Sequence, residues 1–387
     1  MIPPARTRAP AFAQLPPLLL VTVVTLFAAY IAKQGCFVLG AGDTPYCYSD
    51  YAPVYTAREL AGGRFPYDSP PLEYPAGLGL VLWLASAATS STPGFVQLNM
   101  AIAAVACLAT VWMLWRLAGR RAILFAAAPS VVLYAFLNWD LIALVCAVAA
   151  IASFLRHRDL PAGLWLGLGA SIKLFPALLV VPFVAQRLRE SNRNAARRVV
   201  IGAAAAAAAV NIPVAWAAFD GWTYFFQFNS ARVVDWGSLW MAGSHILGSN
   251  LHTNVPLVNW LSLAAFLAAA TLAWLLITRT APGIPRWQLA FPLLVVFFLT
   301  NKVYSPQYSL WILPWFALVL PSVGWFLVYE AVDIAVYVTS FGWQQRLLEG
   351  GGLPQWPLDV VLLLRAIVLI GMLVAFARAA AKSAAAS

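Results

Sequence analysis

Five of the 14 acidic residues of this chain lie in one polar stretch, between residues 43 and 75. The stretch contains the run CYSDYAPVYTARELAGGRFPYDSPPLEYPAG, and its acidic residues are Asp43, Asp50, Glu59, Asp68 and Glu73. A carboxylate that is held in place can act as a general base and take a proton from a reacting hydroxyl group. This chemistry depends on what lies beside the carboxylate, so the surrounding elements decide its role. Asp68 and Glu73, which lie between prolines, are interpreted as solvated loop charges.

The composition is typical of a membrane protein with several spans. Of the 387 residues, 62% are hydrophobic and only 10% are charged, whereas soluble domains are about one half apolar and one quarter charged. Apolar runs of about 17–25 residues recur along the chain and predict membrane-spanning helices. The first run, from Phe12 to Ala32, is too long for the core of a signal peptide and is interpreted as a span. The net charge of +10 is attributed to span ends and not to nucleic-acid binding.

Basic residues near the ends of the spans predict which side is cytoplasmic, because inner loops carry the excess of Lys and Arg. Arg6 and Arg8 place the N-terminus inside and the acidic stretch outside. The segment 74–92 is then predicted to dip into the outer leaflet and return, since a crossing would leave the next basic residues on the wrong side. The segment 54–63 is predicted to form an interfacial helix.

The predicted fold is a single all-α membrane domain over residues 1–387, with both termini in the cytoplasm. A first extracytoplasmic loop is expected at 33–94 and a second large one at 219–255. The segment 160–187 is predicted to be a hairpin of two short helices with Lys173 at its outer tip. The inner face then collects 16 of the 24 basic residues, which agrees with the topology. The twelve predicted spans are 12–32, 95–117, 121–137, 140–155, two in 160–187, 197–218, 256–278, 286–300, 306–322, 325–345 and 357–378.

The same topology gathers most of the remaining polar residues at the outer face. Polar groups at the ends of helices, below the membrane surface, are costly unless they line a cavity or pair with one another. Carboxylates and cations that converge on one face predict a site that binds an anionic group and moves a proton. The residues concerned are Asp43, Asp50, Asn138, Asp140, Lys173, Arg232, Asp235, His245, His252, Asn301, Lys302, Gln307 and Tyr308.

Several of these residues have a simpler interpretation that the sequence leaves open. Asp140 precedes a helical run, so the sequence supports a role as a helix cap as much as a role in the site. Lys173 is long enough to extend along the membrane surface, although its place between two short helices favours a functional role. The two histidines are interpreted as loop residues, and no metal site is predicted.

Three charged residues within the spans and the four cysteines of the chain remain to be interpreted. Glu330, Asp333 and Arg365 are the charges, and their similar depths predict a structural Asp333–Arg365 ion pair. Cys107 and Cys146 lie in apolar runs and are interpreted as buried fillers. Whether Cys36 and Cys47 pair in an oxidising compartment is left open.

Three stretches resemble a known group of membrane enzymes. YSDYAPVYTARELAGGRFPYDSPPLEYPAG resembles the first outer loop of polyprenol-phosphate-dependent mannosyltransferases with the GT-C fold, namely glycosyltransferase family 87 and GPI mannosyltransferase I. Further along the chain, GLWLGLGASIKLFPALLVVP and then NKVYSPQYSLWILP are similar to two other stretches of the group, which follow in the same order there. In the GPI enzymes an Asp-x-Asp pair stands in the first loop, but Tyr48 occupies its first position here and only Asp50 remains. Family 87 tolerates a single acid, so the enzymatic interpretation stands, and the identity of the sugar is left open.

The resemblance implies a GT-C membrane glycosyltransferase that needs no cofactor. It would move a sugar, with mannose favoured, from a polyprenyl-phosphate donor to a glycolipid or glycan acceptor at the extracytoplasmic face of the plasma membrane. Asp50 is expected to be the general base of an inverting reaction, and Lys173 and Lys302 are expected to bind the donor phosphate. The residues expected to bind the sugar or the acceptor are Asp43, Tyr51, Asn138, Asp140, His245, Asn301, Gln307 and Tyr308.

Three alternatives remain open at this point. Within the same class, the donor sugar is arabinofuranose instead of mannose. A lipid or sugar transporter or flippase predicts polar residues along a path through the membrane, often on broken helices in two related halves. An accessory membrane protein leaves the convergence of polar residues at the outer face unexplained.

Overall fold

The computed structural model describes residues 12–38, 45–320 and 322–385, and this part of the chain is helical throughout, with no strand. Seventeen α-helices are connected by short loops and 3₁₀ turns. They are α1 (Leu15–Val38), α2 (Tyr51–Ala57), α3 (Ala76–Ala87), α4 (Thr92–Ala118), α5 (Ile123–Ala126), α6 (Pro129–Tyr134), α7 (Asp140–Leu155), α8 (Asp159–Ile172), α9 (Val180–Arg189), α10 (Arg193–Ala217), α11 (Phe219–Ala231), α12 (Leu239–Ile246), α13 (Val255–Thr280), α14 (Ala290–Thr300), α15 (Ser309–Leu318), α16 (Val323–Glu349) and α17 (Trp356–Ala385).

The predicted class, an all-α protein with several membrane spans, is confirmed. A helix needs about 20 apolar residues to cross the hydrocarbon core of a bilayer. Within the described ranges, six helical segments are long and apolar enough to do so. They are Leu15–Lys33, Thr92–Ala126, Arg193–Ala217, Val255–Thr280, Val323–Leu348 and Trp356–Ser383.

The count of twelve spans stays a prediction, because the other six predicted segments are short or broken helices. The segment 121–137 is divided into α5 and α6, which are separated at Pro129. The segment 306–322 yields only the ten residues of α15 after a 3₁₀ turn. The polar backbone groups at the ends of such short helices must lie inside the protein, which is where membrane proteins tolerate irregular backbone.

The segment between α1 and α4, here named the first outer segment after its predicted side, contains two helices. The first is α2, whose seven residues begin at Tyr51 and overlap the predicted helix at 54–63 only over residues 54–57. The interfacial position of this helix stays a prediction. The predicted re-entrant segment contains α3, and its 12 residues extend about 18 Å at the helical rise of 1.5 Å per residue, which is too short for a regular crossing. Tyr67, which lies between α2 and α3, packs on α11, since a Cβ atom at Gly221 would lie 1.9 Å from the carbonyl oxygen of Tyr67.

The predicted hairpin at 160–187 is present as α8 and α9. At its base Arg187 Nε donates to Asp159 Oδ1 over 2.6 Å, and both side chains are buried. At its tip α8 ends at Ile172, and the backbone of Lys173 is extended. The turn occurs here because the ring of Pro176 would clash with the carbonyl group of Ile172 in a continuous helix.

Glycines bring α8 and α10 into backbone contact. A Cβ atom at Gly163 would lie 2.1 Å from the carbonyl oxygen of Val199, and one at Gly167 would lie 2.1 Å from that of Ala203. Small residues at these positions allow membrane helices to approach closely. This packing holds the hairpin, and therefore Lys173, against the rest of the bundle.

The predicted Asp333–Arg365 ion pair is wrong. No ion pair joins these two residues; instead, Asp333 accepts hydrogen bonds from the hydroxyl groups of Ser130 (2.8 Å) and Ser309 (2.5 Å). Arg365 donates to the backbone of Gly237. Similar depth in the membrane did not make the two charges partners, because hydroxyl donors on α6 and α15 lie nearer to the carboxylate.

The predictions about the four cysteines fall partly outside the described residues. Cys47 is disulfide-bonded, whereas the side chain of Cys36 lies outside the described part. Cys107 and Cys146 are free and buried, in agreement with their interpretation as fillers.

Candidate functional site

One cavity of about 930 Å³ opens between the first outer segment, the hairpin tip, α11 and the connection from α14 to α15. Polar side chains from distant parts of the sequence line its wall. Nine of the residues singled out from the sequence are among them: Asp50, Asn138, Lys173, Arg232, Asp235, Asn301, Lys302, Gln307 and Tyr308. The predicted convergence of a carboxylate with two lysines is therefore present in the structure.

Asp50 is held by backbone and side-chain contacts at the start of α2. Its backbone N–H donates to the carbonyl oxygen of Leu137 over 2.8 Å. Its carboxylate accepts hydrogen bonds from the hydroxyl of Tyr48, from the hydroxyl of Tyr74 at 3.1 Å and from the amide of Asn138. Only 8% of the residue is exposed. The carboxylate thus has one orientation at the cavity wall.

The two tyrosines at Asp50 are suited to remain donors. Burial raises the pKa of both Tyr48 and Tyr74 above the ordinary value, and the charge of the neighbouring Asp50 carboxylate raises it further. Both phenols therefore keep their protons across the physiological pH range. The Asn138 amide also donates to the Tyr74 hydroxyl over 3.0 Å, so the donors support one another.

Lys173 lies next to the same tyrosine. Its Nζ is 4.9 Å from the centre of the Tyr74 ring and 3.5 Å from Oδ2 of Asp140. The other oxygen of Asp140 accepts a hydrogen bond of 2.7 Å from Trp311 Nε1. Asp140 is fully buried and is the first residue of α7, not its cap. Its contacts therefore favour a role in holding Lys173 and Trp311.

A second group of charges stands in the wall formed by the loop after α11 and by the residues after α14. Lys302 Nζ donates to the carbonyl oxygens of Arg232 (2.7 Å) and Ser230 (3.4 Å), and 7% of Lys302 is exposed. Arg232 pairs with Asp235 over 3.0 Å and keeps 34% of its side chain exposed. Both cations line the cavity, and Arg232 is the more accessible of the two.

An aromatic wall completes the cavity. The ring of Trp311 is stacked between those of Tyr308, at 4.0 Å between centroids, and Phe175, at 4.2 Å. The hydrogen bond from Trp311 to Asp140 fixes the orientation of this stack. Flat aromatic faces beside polar groups provide a surface against which the apolar face of a sugar can pack.

Of the predicted site residues that the structure describes, three are not at the cavity wall: Tyr51, His245 and Asp140, whose contacts are given above. Tyr51 is fully buried behind it, where its hydroxyl donates to the carbonyl oxygen of Asn138 over 3.2 Å. His245 lies elsewhere and contacts Asp359 at 3.2 Å. Asp43 lies outside the described residues.

Two residues at the site were missed by the selection from sequence: Tyr48 and Tyr74. Tyr48 replaces an acid of the related Asp-x-Asp pair, and Tyr74 belongs to the Tyr-Pro stretch of the first loop. The position of both tyrosines in these stretches was a signal by which they could have been selected. Arg232 and Asp235 were expected at the outer face, but no local pattern indicated that the loop after α11 folds back on Lys302.

A smaller, apolar cavity of about 350 Å³ adjoins the first. Both are lined by Pro75, Leu174, Phe225 and Phe226. Half or more of Leu174 and Phe226 is exposed. The arrangement places an apolar compartment, reachable from the protein surface, directly beside Lys173.

Residues 73–306, more than half of the chain, match the model of glycosyltransferase family 87. The matched range includes Asn138, Lys173 and Lys302, whereas Asp50 precedes it and Gln307 follows it. The chain has no match among the curated proteins. The family resemblance expected from the sequence is confirmed.

Proposed function

The chain belongs to glycosyltransferase family 87, and we propose that it transfers a sugar, with mannose favoured, from a polyprenyl-phosphate donor to a hydroxyl group of a glycolipid or glycan acceptor. The transfer is proposed for the extracytoplasmic face of the plasma membrane. One observation carries the proposal: a single cavity in which the oriented carboxylate of Asp50 shares the wall with Lys173, Lys302 and Arg232.

Asp50 is the proposed general base. A carboxylate has about four lone-pair sites, and three donors at Asp50 leave room for an acceptor hydroxyl. As the hydroxyl oxygen forms a bond to the anomeric carbon, its proton passes to Asp50. The bond between the anomeric carbon and the phosphate oxygen breaks, and the lipid phosphate leaves with the electron pair. One direct displacement inverts the configuration at the anomeric carbon.

The cations of the cavity are the proposed ligands of the donor phosphate. Lys173 lies at the hairpin tip, and Lys302 and Arg232 lie in the wall formed by the loop after α11 and by the residues after α14. Positive groups aimed at the leaving phosphate stabilise the charge that develops on it. Arg232 adds a planar guanidinium group, which binds phosphate oxygens in pairs.

The remaining polar and aromatic residues are proposed to orient the sugar and the acceptor. Asn138, Asn301, Gln307 and Tyr308 offer hydrogen-bonding groups at the wall. Tyr51 and Asp140 support this wall from behind through their contacts to Asn138 and Trp311. The adjoining apolar cavity has the chemistry required by the first units of a polyprenyl chain.

The variant Asp50→Asn tests the proposal. It keeps the size of the side chain but removes the base, so transfer should fall by about 10²–10⁴-fold. The assay uses the purified full-length chain in proteoliposomes with a short-chain polyprenyl-phosphate mannose. Asp68→Asn, which changes an exposed carboxylate of the same outer segment, is the matched control and should retain activity.

Near-normal transfer by a folded Asp50→Asn protein would remove Asp50 from the role of base. A parallel assay with the corresponding polyprenyl-phosphate arabinofuranose distinguishes the two donor sugars. Transport of an intact lipid without formation of a glycosidic bond would favour the transporter class.

A further inference from the structure

Arg365 is the tenth of the 30 residues of α17, the most apolar of the membrane-length helices. A charged side chain at the centre of a membrane helix costs about 2.5–3.5 kcal/mol on insertion scales. Only 2% of Arg365 is exposed, and no carboxylate forms an ion pair with it within the described residues. The position of this charge therefore calls for a role other than ion pairing.

The contacts of Arg365 lead to the cavity. Its Nη2 donates to the carbonyl oxygen of Gly237 over 2.5 Å. Its guanidinium carbon lies 3.5 Å from the centre of the Tyr304 ring. Gly237 belongs to the loop that carries Arg232 and Asp235, and Tyr304 belongs to the segment that carries Lys302. One side chain thus touches both segments that form the cationic wall.

These two segments are joined at the point that Arg365 contacts. The backbone N–H of Asp235 donates to the carbonyl oxygen of Lys302 over 2.9 Å. The N–H of Gly237 donates to Oδ1 of Asp235, also over 2.9 Å, while the other oxygen of Asp235 pairs with Arg232. A Cβ atom at Gly237 would lie 2.4 Å from the carbonyl oxygen of Tyr304, so only glycine permits this approach.

We propose that Arg365 is a positioning residue for the phosphate-binding cations of the cavity. It acts through the carbonyl group of Gly237, and this inference rests on the proposed function. The hydrogen bond fixes the loop, the loop fixes Asp235, and Asp235 orients Arg232 towards the cavity. Contact with the Tyr304 ring fixes the neighbouring Lys302 segment in the same way. Arg365 does not line the cavity itself.

The test compares binding of farnesyl phosphate, a short polyisoprenyl phosphate, by isothermal titration calorimetry on the purified full-length chain. Loss of a hydrogen bond to a charged group corresponds to about a 10- to 100-fold change in affinity. We expect Arg365→Met to weaken binding by that order, and Arg365→Lys, which retains a donor and a charge, to recover part of it. Gly237→Ala keeps every charge but disturbs the same point, so it should also weaken binding.

The matched control is Gly243→Ala, in the next helix, where an added Cβ meets no atom within 4 Å. It should bind farnesyl phosphate like the parent protein. Thermal unfolding of each variant is measured in parallel. A purely structural role for Arg365 predicts a lower unfolding temperature with an unchanged Kd for the folded fraction, and that result would overturn the inference.

A double-variant cycle identifies the route of the effect. Because Arg365 acts partly through Arg232, adding Arg365→Met to Arg232→Gln should cost less affinity than Arg365→Met costs in the parent protein, since groups that act as a unit are not additive. Fully additive losses would overturn the inference while leaving the phosphate site intact. Unchanged binding in both Arg232→Gln and Lys302→Gln would instead show that the proposed phosphate site is wrong, and the inference would fall with it.

Discussion

Tyr74 stands between the two chemical halves of the site. Its hydroxyl donates to Asp50 over 3.1 Å, and its ring lies 4.9 Å from the Lys173 ammonium. A cation over an aromatic face is stabilised by about 0.5–2 kcal/mol, depending on its solvation. The same side chain therefore orients the proposed base and holds one of the proposed phosphate ligands.

Substitution of Tyr74 separates these two effects. Tyr74→Phe removes one of the three donors to Asp50 but keeps the ring, so we expect a lower kcat with little change in the donor KM. Tyr74→Leu also removes the ring beneath Lys173, so its donor KM should rise as well. Steady-state transfer kinetics measure both constants.

The control is Tyr55→Phe, which makes the same chemical change at a tyrosine that does not line the cavity. Tyr55 belongs to α2 and packs against Phe95 at 4.7 Å between ring centroids. Its kinetics should match those of the parent protein. Equal kinetic constants for Tyr74→Phe and Tyr74→Leu would contradict the separate role of the ring.

Lys302 gives the site a pH dependence of defined sign. Burial lowers the pKa of the Lys302 ammonium below its ordinary value, and the charge of Arg232 lowers it further. The protonated form is the one that attracts a phosphate, so the donor KM should rise with pH as the proton is lost, at a lower pH than for an ordinary lysine. Steady-state kinetics across the alkaline range measure this rise.

In Lys302→Gln the donor KM should be higher overall and should lose this dependence. Lys382→Gln, at an exposed position near the C-terminus, is the control and should reproduce the parent profile. A Lys302→Gln protein with the parental pH profile would assign the titration to another group.

At the scale of elements, the packing of α8 on α10 holds the hairpin that carries Lys173. The helices are in backbone contact at Gly163 and Gly167, opposite Val199 and Ala203. Overpacking of a close contact costs about 1–3 kcal/mol. The position of Lys173 thus depends on residues that carry no functional group.

Gly167→Ala should lower the thermal unfolding temperature of the purified protein, because its Cβ would lie 2.1 Å from the carbonyl oxygen of Ala203. Gly283→Ala, whose Cβ meets no atom within 4 Å, is the control and should leave the temperature unchanged. An unaltered unfolding temperature in Gly167→Ala would mean that the two helices separate at little cost.

At the scale of the whole molecule, the distribution of charge predicts the side of the membrane on which the cavity opens. Basic residues dominate the loops assigned to the inside, and the positive-inside rule relates this excess to orientation. The loop between α12 and α13 lies on the side of the cavity in the proposed topology. The loop between α7 and α8 lies on the opposite side.

Reporter fusions test this orientation. Alkaline phosphatase folds only where its disulfides form, outside the cytoplasm. A fusion after Ser249 should be active, and a fusion after His157 should be inactive. The reverse pattern would place the cavity at the cytoplasmic face and would exclude the proposed extracytoplasmic transfer.

The sequence by itself determined the class of the protein and the general location of its polar residues. Hydropathy is a local property of about 20 residues, and it predicted the long spans. The hairpin could also be predicted, because its turn depends on the nearby Pro176 and on short helices. The stretches around Asp50, Lys173 and Lys302 carried enough information to select three residues that line one cavity.

Only the tertiary structure decided which groups meet. Asp140 contacts Lys173 and Trp311 instead of capping a helix, and His245 lies away from the cavity. Arg365 reaches the backbone of Gly237 instead of Asp333. Such partners depend on the rotation and depth of each helix relative to the others, which packing between distant segments determines. Helical periodicity and hydropathy describe single segments, so they contain no information about these contacts.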